Sequence, residues 1–152
     1  MRIELDPHAL EEPRWPDDVR VRTFTAADTE NLHSLLAGGY RAGGGSVSNL
    51  NTWREEMTGD QEYDPSLWIL AEADEALVGA VLCWTSGFVK DLVVDEAWRR
   101  RGLGEALMRH AFAALAGRGT TVVELKVHAH NAGAIGLYER LGMRVVETIA
   151  ED

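Results

Sequence analysis

Three arginines and two glycines in the run Arg99-Arg100-Arg101-Gly102-Leu103-Gly104 have the residue types and the spacing to hold phosphate. The residues before them, from Val89, read as an apolar strand with a short acidic corner. The residues after them, EALMRHAFAALA, carry a helical pattern. A strand that feeds a glycine-rich, arginine-rich turn opening a helix presents free backbone N–H groups, because the first turn of a helix has no internal acceptors for them. The helix dipole favours an anion at the same place, and arginine forks reach phosphate oxygens. The run is not a Walker loop, since no Gly-Lys-Ser/Thr follows. It is not the dinucleotide fingerprint either, since Gly102-Leu103-Gly104 is followed by Glu105, Ala106 and Leu107 and the third glycine is missing. What remains is R-x-x-G-x-G at a strand-to-helix junction, an anion cradle.

About 27 residues further on stands N-A-G-A-I-G-L-Y-E-R-L-G-M, residues 131–143. Together the two segments resemble the GNAT family, the acetyl-coenzyme-A-dependent N-acetyltransferases. Its signature is an L-x-V strand, then R/Q-x-x-G-x-G/A, then N-x-x-A-x-x-L-Y-x-x-x-G-F/M. Leu92-Val93-Val94, the run Arg99 to Gly104, and Asn131, Ala134, Leu137, Tyr138, Gly142 and Met143 follow in that order. The resemblance is strong over about residues 88–146; the N-terminal half agrees in element order only.

The resemblance implies a role for each matching residue. Leu92, Val93 and Val94 would hold the pantetheine arm of acetyl-coenzyme A through backbone hydrogen bonds, as though it were an added strand. The turn formed by Arg99, Arg100, Arg101, Gly102, Leu103, Gly104 and Glu105 would hold the pyrophosphate. Asn131 and Ala134 would meet the cofactor from the neighbouring helix, with Asn131 also its N-cap. Tyr138 would lie near the thioester sulfur and protonate the leaving thiolate. An amine would attack the thioester carbonyl directly, and an N–H of the strand at 88–94 would stabilise the oxyanion.

A base must take a proton from the amine. In several family members that act on N-terminal amines, a Glu or His stands five residues before the Asn. Here that position is Lys126, a poor base unless strongly desolvated. The remaining ionisable candidates are Glu124 and His128, on the same face of one expected strand, and Asp91. A His-x-His pair at 128 and 130 without a third ligand gives no metal site.

These residues need elements to position them. Residues 1–18 are acidic and broken by Pro7, Pro13 and Pro16, and read as an N-terminal arm in which residues 1–5 can form an edge strand. Residues 19–152 read as a single domain. Its expected strands are 19–24, 67–73, 77–84, 88–94, 120–128 and 145–149. A first helix carries Leu32, Leu35 and Leu36, and a second spans 47–57. A glycine-rich stretch, 38–46, reads as a flexible loop between them. The third and fourth helices follow Gly104 and Asn131. The strands joined by short connections predict an antiparallel meander. The unit 88–127 predicts one βαβ crossover, hence a parallel central pair. The fold class is therefore α/β (α+β), a GNAT-like mixed sheet with helices on both faces. The family ends with two strands after the tyrosine helix, and this chain has room for one. The space beside it is open to residues 1–5 or to the partner chain of a homodimer.

Composition bounds the rest. At 152 residues, 45% hydrophobic and 26% charged, the chain is an ordinary globular one, and its lone Cys83 excludes a disulfide within it. A net charge of −10 argues against nucleic-acid and anionic-membrane partners and is compatible with a cationic substrate. The absence of an apolar leader or a spanning run predicts a cytoplasmic location. The function these readings predict is acetyl transfer from acetyl-coenzyme A to a primary amine, on a small molecule or a peptide. The alternative is a non-catalytic domain of the same fold that senses acyl-coenzyme A. Residues 38–46, Trp53, Trp68 and Trp84 are candidates to shape an acceptor pocket, although tryptophans are more often core or rim residues.

Overall fold

The computed structural model describes residues 1–42 and 45–148. Among the described residues six strands form one sheet: β1 (Arg2–Glu4), β2 (Arg20–Thr23), β3 (Trp68–Ala73), β4 (Ala76–Cys83), β5 (Phe88–Val94) and β6 (Val122–Leu125). Their order across the sheet is β1-β6-β5-β4-β3-β2. Strands β2 to β5 form the expected antiparallel meander, and β5 and β6 are the parallel pair. The described residues also form four α-helices, α1 (Thr29–Ala42), α2 (Leu50–Thr58), α3 (Leu103–Gly117) and α4 (Ala132–Arg140). Helix α3 is the crossover that a parallel pair requires.

Burial divides along the two faces of the sheet. Leu103, Leu107, Ala111 and Leu115 of α3 pack with Tyr138 and Leu141 against Val81, Val89, Val123 and Leu125. Leu32 and Leu36 of α1 and Trp53 and Met57 of α2 pack against Trp68, Leu70, Ala80, Leu82 and Val93 on the other face. Strand β4, apolar in both registers, is central and buried on both sides, as its sequence predicts. The start of α1 is fixed by charge. Asp28 accepts from the Thr25 N–H at 2.8 Å and from the Arg22 guanidinium at 2.6 and 2.7 Å. The bonds from Arg22 come first in holding this carboxyl below the usual carboxylate range.

Four differences from the sequence expectation exceed two residues. Helix α1 continues through Gly38 and Gly39 to Ala42, so the first part of the supposed glycine loop is helical. A Cβ built on Gly39 would lie 2.7 Å from Val93 Cγ2, so glycine permits α1 to lie this close to β5. Residues 43 and 44 of that expected loop fall outside the described residues. Helix α2 starts at Leu50 rather than 47, because the Asn49 side chain caps it by accepting the Thr52 N–H at 3.0 Å.

Strand β6 stops at Leu125, three residues short of His128. Its last pairing with β5 is Val89↔Leu125, and on its other side Leu125 bonds Met1. Past that point β6 has no strand partner among the described residues. The last strand, expected at 145–149, reduces to a single bridge between Arg144 and Arg2, with 2.9 Å bonds in both directions. Strand β1 starts at Arg2, so an antiparallel continuation through Val145 and Val146 runs off its end. These valines are 55% and 48% exposed. Ile149 lies outside the described residues. Residues 1–5 supply the edge strand beside β6 that the sequence left open. Among the described residues no helix is long and apolar enough to cross a membrane.

Candidate active site

The site begins with a register error in β5. Strand β4 pairs with it as Leu82↔Asp91 and then Cys83↔Val89, which leaves Lys90 as an extra residue in a bulge. Strict alternation would put residues 89, 91 and 93 on one face. The bulge breaks it: Val89 packs with α3, whereas Val93 packs under α1. Asp91 follows Val93 and is turned toward α1. There it accepts a 2.5 Å hydrogen bond from the Tyr40 hydroxyl.

The bulge also marks where the parallel pair separates. Phe88↔Glu124 and Val89↔Leu125 are the whole β5–β6 ladder, yet β5 runs on to Val94. Along residues 90–94 its β6-facing edge therefore lacks a strand partner. This open edge leads to the N-terminus of α3. Arg100 and Gly102 in the intervening turn both have positive φ, 65° and 80°. A Cβ on Gly102 would meet no atom within 4 Å, so it is the backbone angle, not crowding, that calls for glycine there. Gly102 O accepts the Ala106 N–H, and the N–H groups of Leu103, Gly104 and Glu105 face outward from the first helical turn without intrahelical acceptors. Gly104 sits where three elements converge: a Cβ there would lie 3.4 Å from Leu137 of α4 and 3.7 Å from Val94 of β5.

The three arginines take different positions. Arg99 Nε donates to Val94 O at 3.4 Å, and the Arg101 guanidinium lies 4.7 Å over the Trp98 ring. Arg100 is exposed, in the left-handed region. Leu103 is fully buried, so it can offer a ligand only its backbone. The Glu105 side chain lies 3.9 Å from Arg109 along the helix. Leu92 and Val94 pack toward the α3–α4 side, whereas Val93 is buried under α1. Asn131 is the N-cap of α4, its side chain accepting the Ala134 N–H at 3.1 Å.

Two buried ionisable groups come from separate elements here, Asp91 from β5 on the α1 side and Tyr138 from α4 on the α3 side. Tyr138 of α4 is 9% exposed, and the Asp91 side chain 8%. Burial pushes the Tyr138 hydroxyl above its ordinary value, and the negative charge of Asp91 pushes it further the same way. Burial likewise raises Asp91, against the nearby Lys90 ammonium at 3.8 Å and the Tyr40 bond, which both favour its charged form. The two other candidate bases are not brought here in the same way. Glu124 is exposed on β6, in register between Arg2 and Phe88. His128 is exposed beyond the end of β6, its ring 5.2 Å from that of His130. Of the three tryptophans, Trp53 and Trp68 are core residues and Trp84 is half-buried against them.

Tyr40 escaped the sequence reading. Its signal was present: Leu32, Leu36 and Tyr40 recur every four residues and so share one helix face. The glycines at 38 and 39 disguised the helix that carries it.

Comparison with known proteins agrees with this geometry. The acetyltransferase (GNAT) family matches over residues 29–143. The mycothiol acetyltransferase of Streptomyces coelicolor is 31% identical over 158 residues, covering 97% of this chain and 50% of that protein. The ribosomal protein bS18-alanine N-acetyltransferase of Escherichia coli is 46% identical over 52 residues, 34% of this chain and 35% of that one. Among solved structures, a GCN5-related N-acetyltransferase from Sphaerobacter thermophilus superposes with a TM-score of 0.82 at 29% identity, over 94% of this chain and 46% of its own. The chain thus spans about half the length of the first curated relatives it matches. With the family's pattern over most of its length and the split parallel pair beside a glycine-turned helix, the chain belongs to the GNAT acetyltransferase family.

Proposed function

We propose that this protein transfers an acetyl group from acetyl-coenzyme A to a primary amine, with Asp91 as the base and Tyr138 as the acid. The observation that carries the reading is the buried Asp91 carboxylate, placed by the Lys90 bulge on the stretch of β5 that has lost its β6 partner. The residues present suit the donor. The free edge of β5 at Leu92 to Val94 can bond an extended amide-bearing arm, and the turn from Arg99 to Glu105 offers outward N–H groups and an uncrowded glycine to a pyrophosphate. Asn131 and Ala134 open the helix on the far side of the gap.

When bound, the thioester supplies an activated acetyl carbonyl. The chain's own groups do the rest. As the amine nitrogen bonds to that carbonyl carbon its N–H becomes strongly acidic, and the Asp91 carboxylate takes the proton. Burial keeps Asp91 out of bulk water and makes it a stronger base than an exposed aspartate. As the carbon–sulfur bond breaks, Tyr138 gives its proton to the sulfur. Its raised pKa guarantees that the proton is present at neutral pH. An N–H of β5 on the open edge stabilises the carbonyl oxygen. One carboxylate thus receives one proton and one phenol yields one, and solvent exchange resets both.

The acceptor belongs to the class of small amines or peptide amines that can approach Asp91 from the α1 side. The test is incubation with acetyl-coenzyme A and a panel of polyamines, amino acids, aminoglycosides, aminothiol sugars and peptides, following free thiol. Thiol release with at least one amine is expected, and Tyr138→Phe should slow it by about a hundredfold with little change in coenzyme A affinity. Coenzyme A binding without amine-dependent thiol release would instead favour the sensing domain, and no binding would exclude both.

A further inference from the structure

We infer that Tyr40 is a positioning residue for this reaction: α1 delivers its hydroxyl onto the carboxylate of Asp91, fixing the orientation in which that carboxylate meets the acceptor amine. The inference rests on Asp91 being the base proposed above.

Three observations carry it. The first is the 2.5 Å bond from Tyr40 Oη to Asp91 Oδ1, the only bond from α1 to β5 among the side-chain hydrogen bonds described. The second is the approach that makes it geometrically possible. Gly39, the residue before Tyr40, lies so close to Val93 that a Cβ would overlap it at 2.7 Å. A helix standing off by the usual side-chain layer would carry the hydroxyl away from the carboxylate. The third is the bulge at Lys90, which turns Asp91 toward α1 rather than α3. A bulge and a helix contact on two separate segments thus converge on one hydrogen bond. The carbonyl of Tyr40 also accepts the Gly45 N–H at 2.7 Å, which ties the same residue to the glycine-rich stretch that follows α1.

A buried carboxylate must be anchored if it is to work as a base. The groups that act on Asp91 are Tyr40 from α1 and Lys90 from β5 itself, its charge is felt by Tyr138 of α4, and its β4 partner Leu82 is apolar. Lys90 acts at 3.8 Å from the exposed bulge and gives weak directionality. Tyr138 is reserved for the sulfur. Tyr40 orients Oδ1, which leaves Oδ2, with the Lys90 ammonium 3.8 Å away, to meet the incoming amine. The bond is made to the charged form, so removing it makes Asp91 easier to protonate.

The test uses the whole chain with aspartate labelled at the carboxyl carbon. The Asp91 resonance is assigned by its loss in Asp91→Asn, and its titration is compared between wild type and Tyr40→Phe, a change that keeps the ring. We expect the Asp91 midpoint to move to higher pH in Tyr40→Phe. We also expect the acid limb of kcat, at saturating acetyl-coenzyme A and amine, to move with it, and the rate below that limb to fall roughly tenfold. An unmoved midpoint would overturn the inference, as would a moved midpoint with an unchanged rate. Full activity in Asp91→Asn would instead remove the base on which the inference rests, and so separates the two failures.

Discussion

Asp91 holds a charge that the fold makes costly. Burial raises its pKa, and Lys90 and Tyr40 offset only part of that. The sign of the stability effect follows from linkage. A carboxyl whose folded pKa lies above its unfolded value of about 3.9 binds protons more tightly in the native state, so stability is lost as pH rises through the folded pKa. Asp91→Asn removes that penalty, and Asn can still accept the Tyr40 hydrogen bond. The variant should melt at a higher temperature than wild type at neutral pH, and the difference should shrink as pH falls below the unfolded value. Parallel thermal melts across that range check this; a lower melting temperature at neutral pH would mean that the charge is compensated. Stability sacrificed at one buried carboxylate is the pattern expected where a group is kept for chemistry rather than for folding.

At the scale of elements, the site is built from a strand that changes face, a strand that ends early and a helix that starts on a left-handed glycine. Gly102 has open space around the position of a Cβ but a φ of 80°, so Gly102→Ala tests the backbone alone. It should cost about 1 kcal/mol of stability and weaken coenzyme A binding, read by denaturant melts and titration calorimetry. Unchanged affinity would remove this turn from the phosphate site. Much of this was legible in the sequence. Leu92-Val93-Val94, Arg99 to Gly104 and Asn131 to Met143 lie in local strand–turn–helix units whose patterns depend on near neighbours. What was not legible depended on contacts between segments. The bulge at Lys90 is set by pairing with β4, and the early end of β6 by where β5 and β1 cease to face it. Gly38 and Gly39 looked like loop residues because helix propensity counts glycine as a breaker, and tertiary packing on Val93 outweighed that preference. Tyr40 went unassigned for the same reason.

Over the whole molecule, two cores on opposite faces of one sheet place separate parts of the chain around the bulged, partly unpaired strand β5. The N-terminal half supplies α1 and Tyr40, the C-terminal half supplies α3 and Tyr138, and β5 between them supplies Asp91. Strand β1 closes the outer side of β6, so the first residues of the chain brace the strand whose early end makes the gap. The net charge of −10 leaves the acceptor side compatible with cationic amines. The measurement that bears most directly on this account is the acetyl-transfer rate of Asp91→Asn beside wild type, at saturating acetyl-coenzyme A and with the best amine of the panel. The account predicts a rate loss of about 10²-fold or more with coenzyme A affinity retained. A variant that transfers acetyl as fast as wild type would contradict it.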